Sequence, residues 1–115
     1  MSTRPAAEKL ATAAPVLAAL GDKTRLTIVA RLCARGPQSI ARLTDGTSIS
    51  RQAVTKHLRR LAKAGLVRSS RQGRERIWRM QTKRLEEVRR YLGQISDQWD
   101  EAIGRLRAMV EDEER

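Results

Sequence analysis

Ser48-Ile-Ser-Arg-Gln-Ala-Val-Thr-Lys-His-Leu-Arg-Arg-Leu-Ala-Lys-Ala-Gly-Leu-Val67 is the stretch that decides the fold. Ser50 is a good helix N-cap, because its hydroxyl can accept from a backbone N–H that the first turn leaves unpaired. After it, Val54, Leu58 and Leu61 recur at steps of four and three and define one inward face. Arg51, Gln52, Thr55, Lys56, Arg59 and Lys63 fall on the outward side. Gly65 followed by Leu66 predicts a Schellman-type stop with its hydrophobic contact.

Upstream of this helix, Ala6 to Leu20 is helix-prone, with Leu10, Ala13 or Ala14, Leu17 and Leu20 near one face. Pro15 restricts the predicted helix to a start near Ala13, leaving residues 1–12 as an arm. Asp22 then caps a second helix in which Leu26, Val29, Ala30 and Cys33 share the apolar register, until Gly36-Pro37 stops it. Ser39 caps a short third helix through Ile40, Ala41 and Leu43, closed by an Asp45-Gly46 turn. Downstream, Val67–Arg71 and Arg74–Met80 are β-compatible runs about Gln72-Gly73, which predicts a hairpin tipped by Arg71, Arg74 and Arg76.

Thr82 can cap the last helix, expected to run to about Val110. Leu85, Leu92, Trp99 and Leu106 repeat every seven residues there, and Val88, Ile95, Ala102 and Met109 do so three places later. A heptad seam of this length exceeds what four short helices and a hairpin can cover, so a second copy of the chain is its expected partner. The chain therefore divides into a flexible arm (1–12), a unit of short helices and hairpin (13–82), a dimerisation helix (83–110) and an acidic tail (111–115).

Charge supports this division. The 115 residues hold 24 Lys and Arg against 13 Asp and Glu, a formal net charge of +11. Residues 50–76 carry nine of the cations and one acid, so +8 of the excess lies in the quoted helix and the hairpin. Residues 83–107 are nearly balanced, and the last eight are acidic. The expected partner is a polyanion met by the middle of the chain. With no Phe, and only Tyr91, Trp78 and Trp99 as aromatics, the core must come from aliphatic residues, which favours helices over a large sheet.

A short helix, a turn, a capped cationic helix and an arginine-tipped hairpin compose a winged helix-turn-helix, a mostly α fold with a small β-hairpin. Its second helix must enter the major groove of double-stranded DNA. Arg51 and Lys56 can read guanine, Gln52 can read adenine, and Thr55 can meet a thymine methyl or a phosphate. Ser39 and Ser50 at helix starts, with Arg59, are expected on phosphates, and Arg71, Arg74 and Arg76 on the flanking backbone or minor groove.

The run from Leu17 to Ile28, Leu-Ala-Ala-Leu-Gly-Asp-Lys-Thr-Arg-Leu-Thr-Ile, resembles the opening motif of the ArsR family of bacterial winged-helix repressors, and Ser48 to Val67 resembles that family's recognition helix and wing start. The resemblance covers about Val16 to Met80, and the long last helix is similar to that of a metal-independent branch. It implies a homodimer joined through the first and last helices, bound to a palindromic operator and repressing its own or a neighbouring operon.

The family's metal sites use a Cys-x-Cys pair at the start of the third helix, or Asp and His on the last. Here Gln38–Arg42 holds no thiol and the last helix no histidine, so neither metal nor cofactor is expected. Asp97, Asp100 and Glu101 read as a solvated face or intersubunit ion pairs. Cys33, the one cysteine, reads as a small buried hydrophobe. It excludes an intrachain disulfide and suits a reducing cytoplasm. His57 reads as a packing or phosphate contact, Trp99 as dimer core and Trp78 as the hairpin's anchor. An enzyme is not expected, since no catalytic constellation surrounds the single histidine. No stretch reaches the roughly 18 apolar residues of a membrane span. The rival readings are a non-specific architectural DNA-binding protein, and a repressor that senses metal or redox state through an unrecognised site.

Overall fold

The computed structural model describes residues 6–114. Its elements are α1 (Ala6–Leu20), α2 (Lys23–Arg35), β1 (Gln38–Ser39), α3 (Ile40–Thr44), α4 (Arg51–Lys63), β2 (Val67–Gln72), β3 (Glu75–Met80) and α5 (Thr82–Glu113). The boundaries of the middle helices follow local chemistry. Asp22 accepts from Arg25 N, Ser39 from Arg42 N and Ser50 from Ala53 N, each ending the orphan status of a first-turn donor. At the far end of α4, Leu66 N donates to Leu61 O at 2.9 Å and Gly65 N to Ala62 O at 3.0 Å, the paired bonds of a Schellman stop.

Gly65 holds φ at +82°, and a Cβ there would lie 3.0 Å from Arg84 Cγ. Gly65→Ala is therefore expected to lower stability by about 1–2 kcal/mol, the left-handed backbone term, visible as a lower thermal midpoint with unchanged helix content.

Leu58, Leu61 and Leu66 are wholly buried, and Val16, Ile28, Leu32, Leu43, Val54, Val67 and Trp78 close around them. The sheet has three antiparallel strands in the order β1-β3-β2. Val67 faces Met80 and Gln72 faces Glu75, so the hairpin turns on Gly73-Arg74, one residue beyond the expected connection. Gly73, at φ +65°, supplies the positive φ that the first central position of a two-residue turn needs. Two-residue β1, pairing Gln38 with Trp78 and Ser39 with Ile77, was not expected. A strand of two residues is too short to leave a periodic signal.

Both ends of the chain are more helical than expected. α1 starts at Ala6 rather than Ala13, with Pro15 on its exposed side; of the expected arm, residues 1–5 lie outside the described residues. Ala13 and Val16 are buried where α1 lies along α5, and Lys9 Nζ donates to Gln94 Oε1 at 3.0 Å. This docking offsets the backbone bond that Pro15 cannot make. α5 enters directly from β3 through Gln81, whose N–H donates to Leu66 O at 2.8 Å, so Thr82 is the first helical residue and not the cap. It continues through Glu113 in place of the expected tail from residue 111, because Ala, Met and Glu are strong helix formers.

Two helices are rotated relative to their sequence readings. α2 buries Arg25, Ile28, Val29 and Leu32, leaving Leu26, Ala30 and Cys33 exposed. The cause is Arg25, which occupies a core-facing position with its guanidinium satisfied inside: Nε donates to Ala19 O at 2.6 Å. α1 buries small Ala13, Val16 and Ala19 and turns Leu10 and Leu17 outward.

α5 changes environment along its length. Val88 is buried and Leu85 packs on the same core, so both seal α5 to their own chain; the seam expected between copies does not begin with them. Beyond Gln94 the helix runs out from the core, and Trp99, Leu106 and Met109 are each more than 60% exposed. The radius of gyration, 19.6 Å, is far above the ~13 Å of a closed globule this size.

Candidate nucleic-acid interface

α4 is held by its underside and offers its upper side to solvent. Val54, Leu58 and Leu61 are buried, while Arg51, Gln52, Lys56 and Arg59 are exposed. Thr55, half-buried, donates its hydroxyl to Arg51 O at 2.8 Å and keeps its methyl and lone pairs. Ser50 is exposed, with its Oγ 3.1 Å from Ala53 N. Cations and amides thus crowd the first two turns of one rigid helix, the part of a recognition helix that meets base edges.

The wing adds a second cationic group. Arg71 stands directly opposite Arg76 across the hairpin, and Arg74 sits in the turn; all three are exposed. Arg76 Nη1 donates to Ser69 Oγ at 2.9 Å, and none of the three is paired with a carboxylate among the described residues. Like charges directly opposite each other on a ladder destabilise it unless an anion arrives. Two acids at the start of α5 are engaged locally instead: Glu86 with Arg89 and Arg90, and Glu87 with Arg84. The side-chain hydrogen bond from Arg89 lowers the Glu86 pKa below the ordinary carboxylate value, and that pairing raises Arg89. Arg74→Ala is expected to weaken binding of every duplex alike and to flatten the dependence of log affinity on log salt by about one unit; filter binding between two salt concentrations measures this.

Ser39 stands apart from these residues. It is buried in β1, and its Oγ accepts from Arg42 N, so the hydroxyl caps α3 within the fold rather than facing a phosphate.

Sequence reasoning missed a partly buried polar linkage behind α4. Arg25 Nη1 lies 3.4 Å from His57 Nδ1, a contact in which guanidinium can only donate, and Asp22 Oδ2 lies 3.9 Å from the same nitrogen. The backbone N–H of Arg25 holds the Asp22 carboxyl below its ordinary pKa against burial, with the Arg25 charge adding to the lowering. The start of α2 is thereby tied to the outer half of α4 by side chains 32 residues apart in sequence. Only the mismatch of an arginine in a core-facing helical position hinted at it. Two further cations, Arg68 and Arg79, face each other on the opposite face of the wing.

Comparison with known proteins agrees with this geometry. A family model described as a helix-turn-helix domain matches residues 20–70. An uncharacterised HTH-type transcriptional regulator of Methanocaldococcus jannaschii is 30% identical over 81 residues, covering 70% of this chain and 91% of the relative. The uncharacterised HTH-type transcriptional regulator YuzN of Bacillus subtilis is 41% identical over 68 residues, 54% of this chain and 74% of the relative. Among solved structures, an ArsR-like transcriptional regulator from Rhodococcus sp. RHA1 superposes with a TM-score of 0.76 at 36% identity, covering 89% of this chain and 95% of that one. Superposable on that regulator over most of its length and matched by the helix-turn-helix model in its middle, the chain belongs to the ArsR family of winged helix-turn-helix transcriptional regulators.

Proposed function

We propose that the protein acts as a homodimer that binds a palindromic operator through its two α4 helices and represses the operon it controls. The observation that carries this is the division of α4: three aliphatic side chains inside, and Arg51, Gln52 and Lys56 exposed on its first two turns. The dimer rests on the apolar stripe of α5 beyond Leu92, together with exposed Leu17 on α1. Arg51, Lys56 and Gln52 read bases, Thr55 meets a thymine methyl or a phosphate, Arg59 and Ser50 fix the helix on the phosphates, and the wing arginines hold the flank. The protein works in the cytoplasm, where its DNA is.

Competition separates this reading from an architectural one that the charge alone would equally support. Operator DNA is expected to be retained against random duplex by a ratio of roughly 10³ or more; equal affinity for the two would refute sequence-specific control. Arg51→Ala and Gln52→Ala are each expected to lose about 1–3 kcal/mol of discrimination at one base pair of the half-site. A loss uniform across sequences would assign them to phosphates instead.

A further inference from the structure

On the face of the sheet turned away from Trp78, α3 and the wing enclose an open polar depression of about 470 Å³. Arg42 of α3 and Arg79 of β3 line it, with Gln38, Gln72 and Glu75. The pleat places Arg79, Ile77 and Glu75 together on this face and Trp78 on the core face. The two guanidiniums meet no carboxylate in an ion pair among the described residues, although Glu75 lines the same depression. Arg79 Nη2 donates to Ser70 Oγ at 3.1 Å, but its Nε is buried without any hydrogen-bond partner. An orphaned guanidinium N–H is costly, and an entering acceptor would relieve it. Arg68 stands opposite Arg79 in the ladder and adds a like charge that an anion would also relieve.

We propose that this depression is a phosphate-binding site, with Arg42 and Arg79 as its cationic ligands. Two planar forks from different elements, supplemented by the side-chain amide of Gln72, suit an anion with several oxygens. No aromatic side chain lines the depression to receive a flat organic body. A bound phosphate would bridge the first helix of the helix-turn-helix to the wing, fixing the hairpin's angle to the reading head. The phosphate has two sources, the backbone of a duplex flank or a free phosphate group in solution. Only the first rests on the DNA-binding reading above.

The test follows the arginine Nε–H resonances of the ¹⁵N-labelled full chain at constant ionic strength. The Arg79 Nε–H signal is expected to shift and to exchange with water roughly tenfold more slowly when phosphate reaches it, as charge-assisted hydrogen bonding requires. If free phosphate is the occupant, inorganic phosphate produces this response, Arg42→Gln abolishes it, and the salt slope of duplex binding is unchanged in that variant. If strand phosphate is the occupant, the duplex produces it and Arg42→Gln lowers the salt slope by about one. Arg79→Lys keeps the charge and the strand but removes the fork, so in that variant the Arg42 Nε–H signal is the reporter and is expected not to respond, with an unaltered circular dichroism spectrum. An Arg79 signal that moves with neither phosphate nor duplex, or a response that survives both substitutions, overturns the site. The Arg51 Nε–H signal in the same spectra reports whether α4 engages the duplex, so failure of this site is distinguishable from failure of DNA reading.

Discussion

Leu58→Ala is expected to destabilise the protein by about 2–5 kcal/mol, the range for truncating a buried leucine without collapse of the cavity it leaves. Leu58 is wholly buried in a cluster that also contains Leu61, Leu66 and Val54, so neighbouring helices would have to move to fill the void. Against a typical domain stability of about 5–15 kcal/mol this is a large fraction. Urea unfolding at fixed chain concentration should show a lower midpoint with an unchanged slope. Leu58 lies on the same turn of α4 as Lys56 and Arg59, so residual folded protein should also bind DNA less well as the reading helix loses its seat. A loss below about 1 kcal/mol would show that α4 is not held by this face.

Leu92→Glu combined with Trp99→Glu is expected to convert a dimer to a monomer. Both side chains are exposed in the single chain, Trp99 at 65%, so the substitutions leave its own core intact while placing four charges in a two-copy seam. Sedimentation should report half the mass. Affinity for a site with two half-sites should fall by about 10²–10⁴-fold, because the second half-site is no longer engaged intramolecularly. An unchanged mass would move the interface off α5.

The sequence was most informative where one residue decides a local bond. Asp22, Ser39, Ser50 and Gly65 have few alternatives to the caps and stop they form, and the structure places each as read. It was least informative where tertiary packing chooses between equivalent helix faces. Arg25 enters the interior because Ala19 O and His57 wait for it there, which turns Cys33 to solvent. The start of α1 was hidden by Pro15, whose cost is offset by docking on α5. In α5 the heptad rhythm continues unbroken from a part that covers its own core, at Leu85 and Val88, to a part that has none to cover; periodicity cannot mark the change. In the candidate site, the outward face of α4 and the wing tip were legible because charge and period coincide. The Arg42–Arg79 depression was not, since its two sides meet only through the pairing of β1 with β3.

Selection of duplexes from a random pool by the purified full chain tests paired, sequence-specific reading most directly. The retained DNA should converge on an inverted repeat whose half-site centres lie roughly 10 base pairs apart or a multiple of that, one α4 to each. A pool that remains random, or that converges on a single asymmetric element bound by one chain, would contradict it.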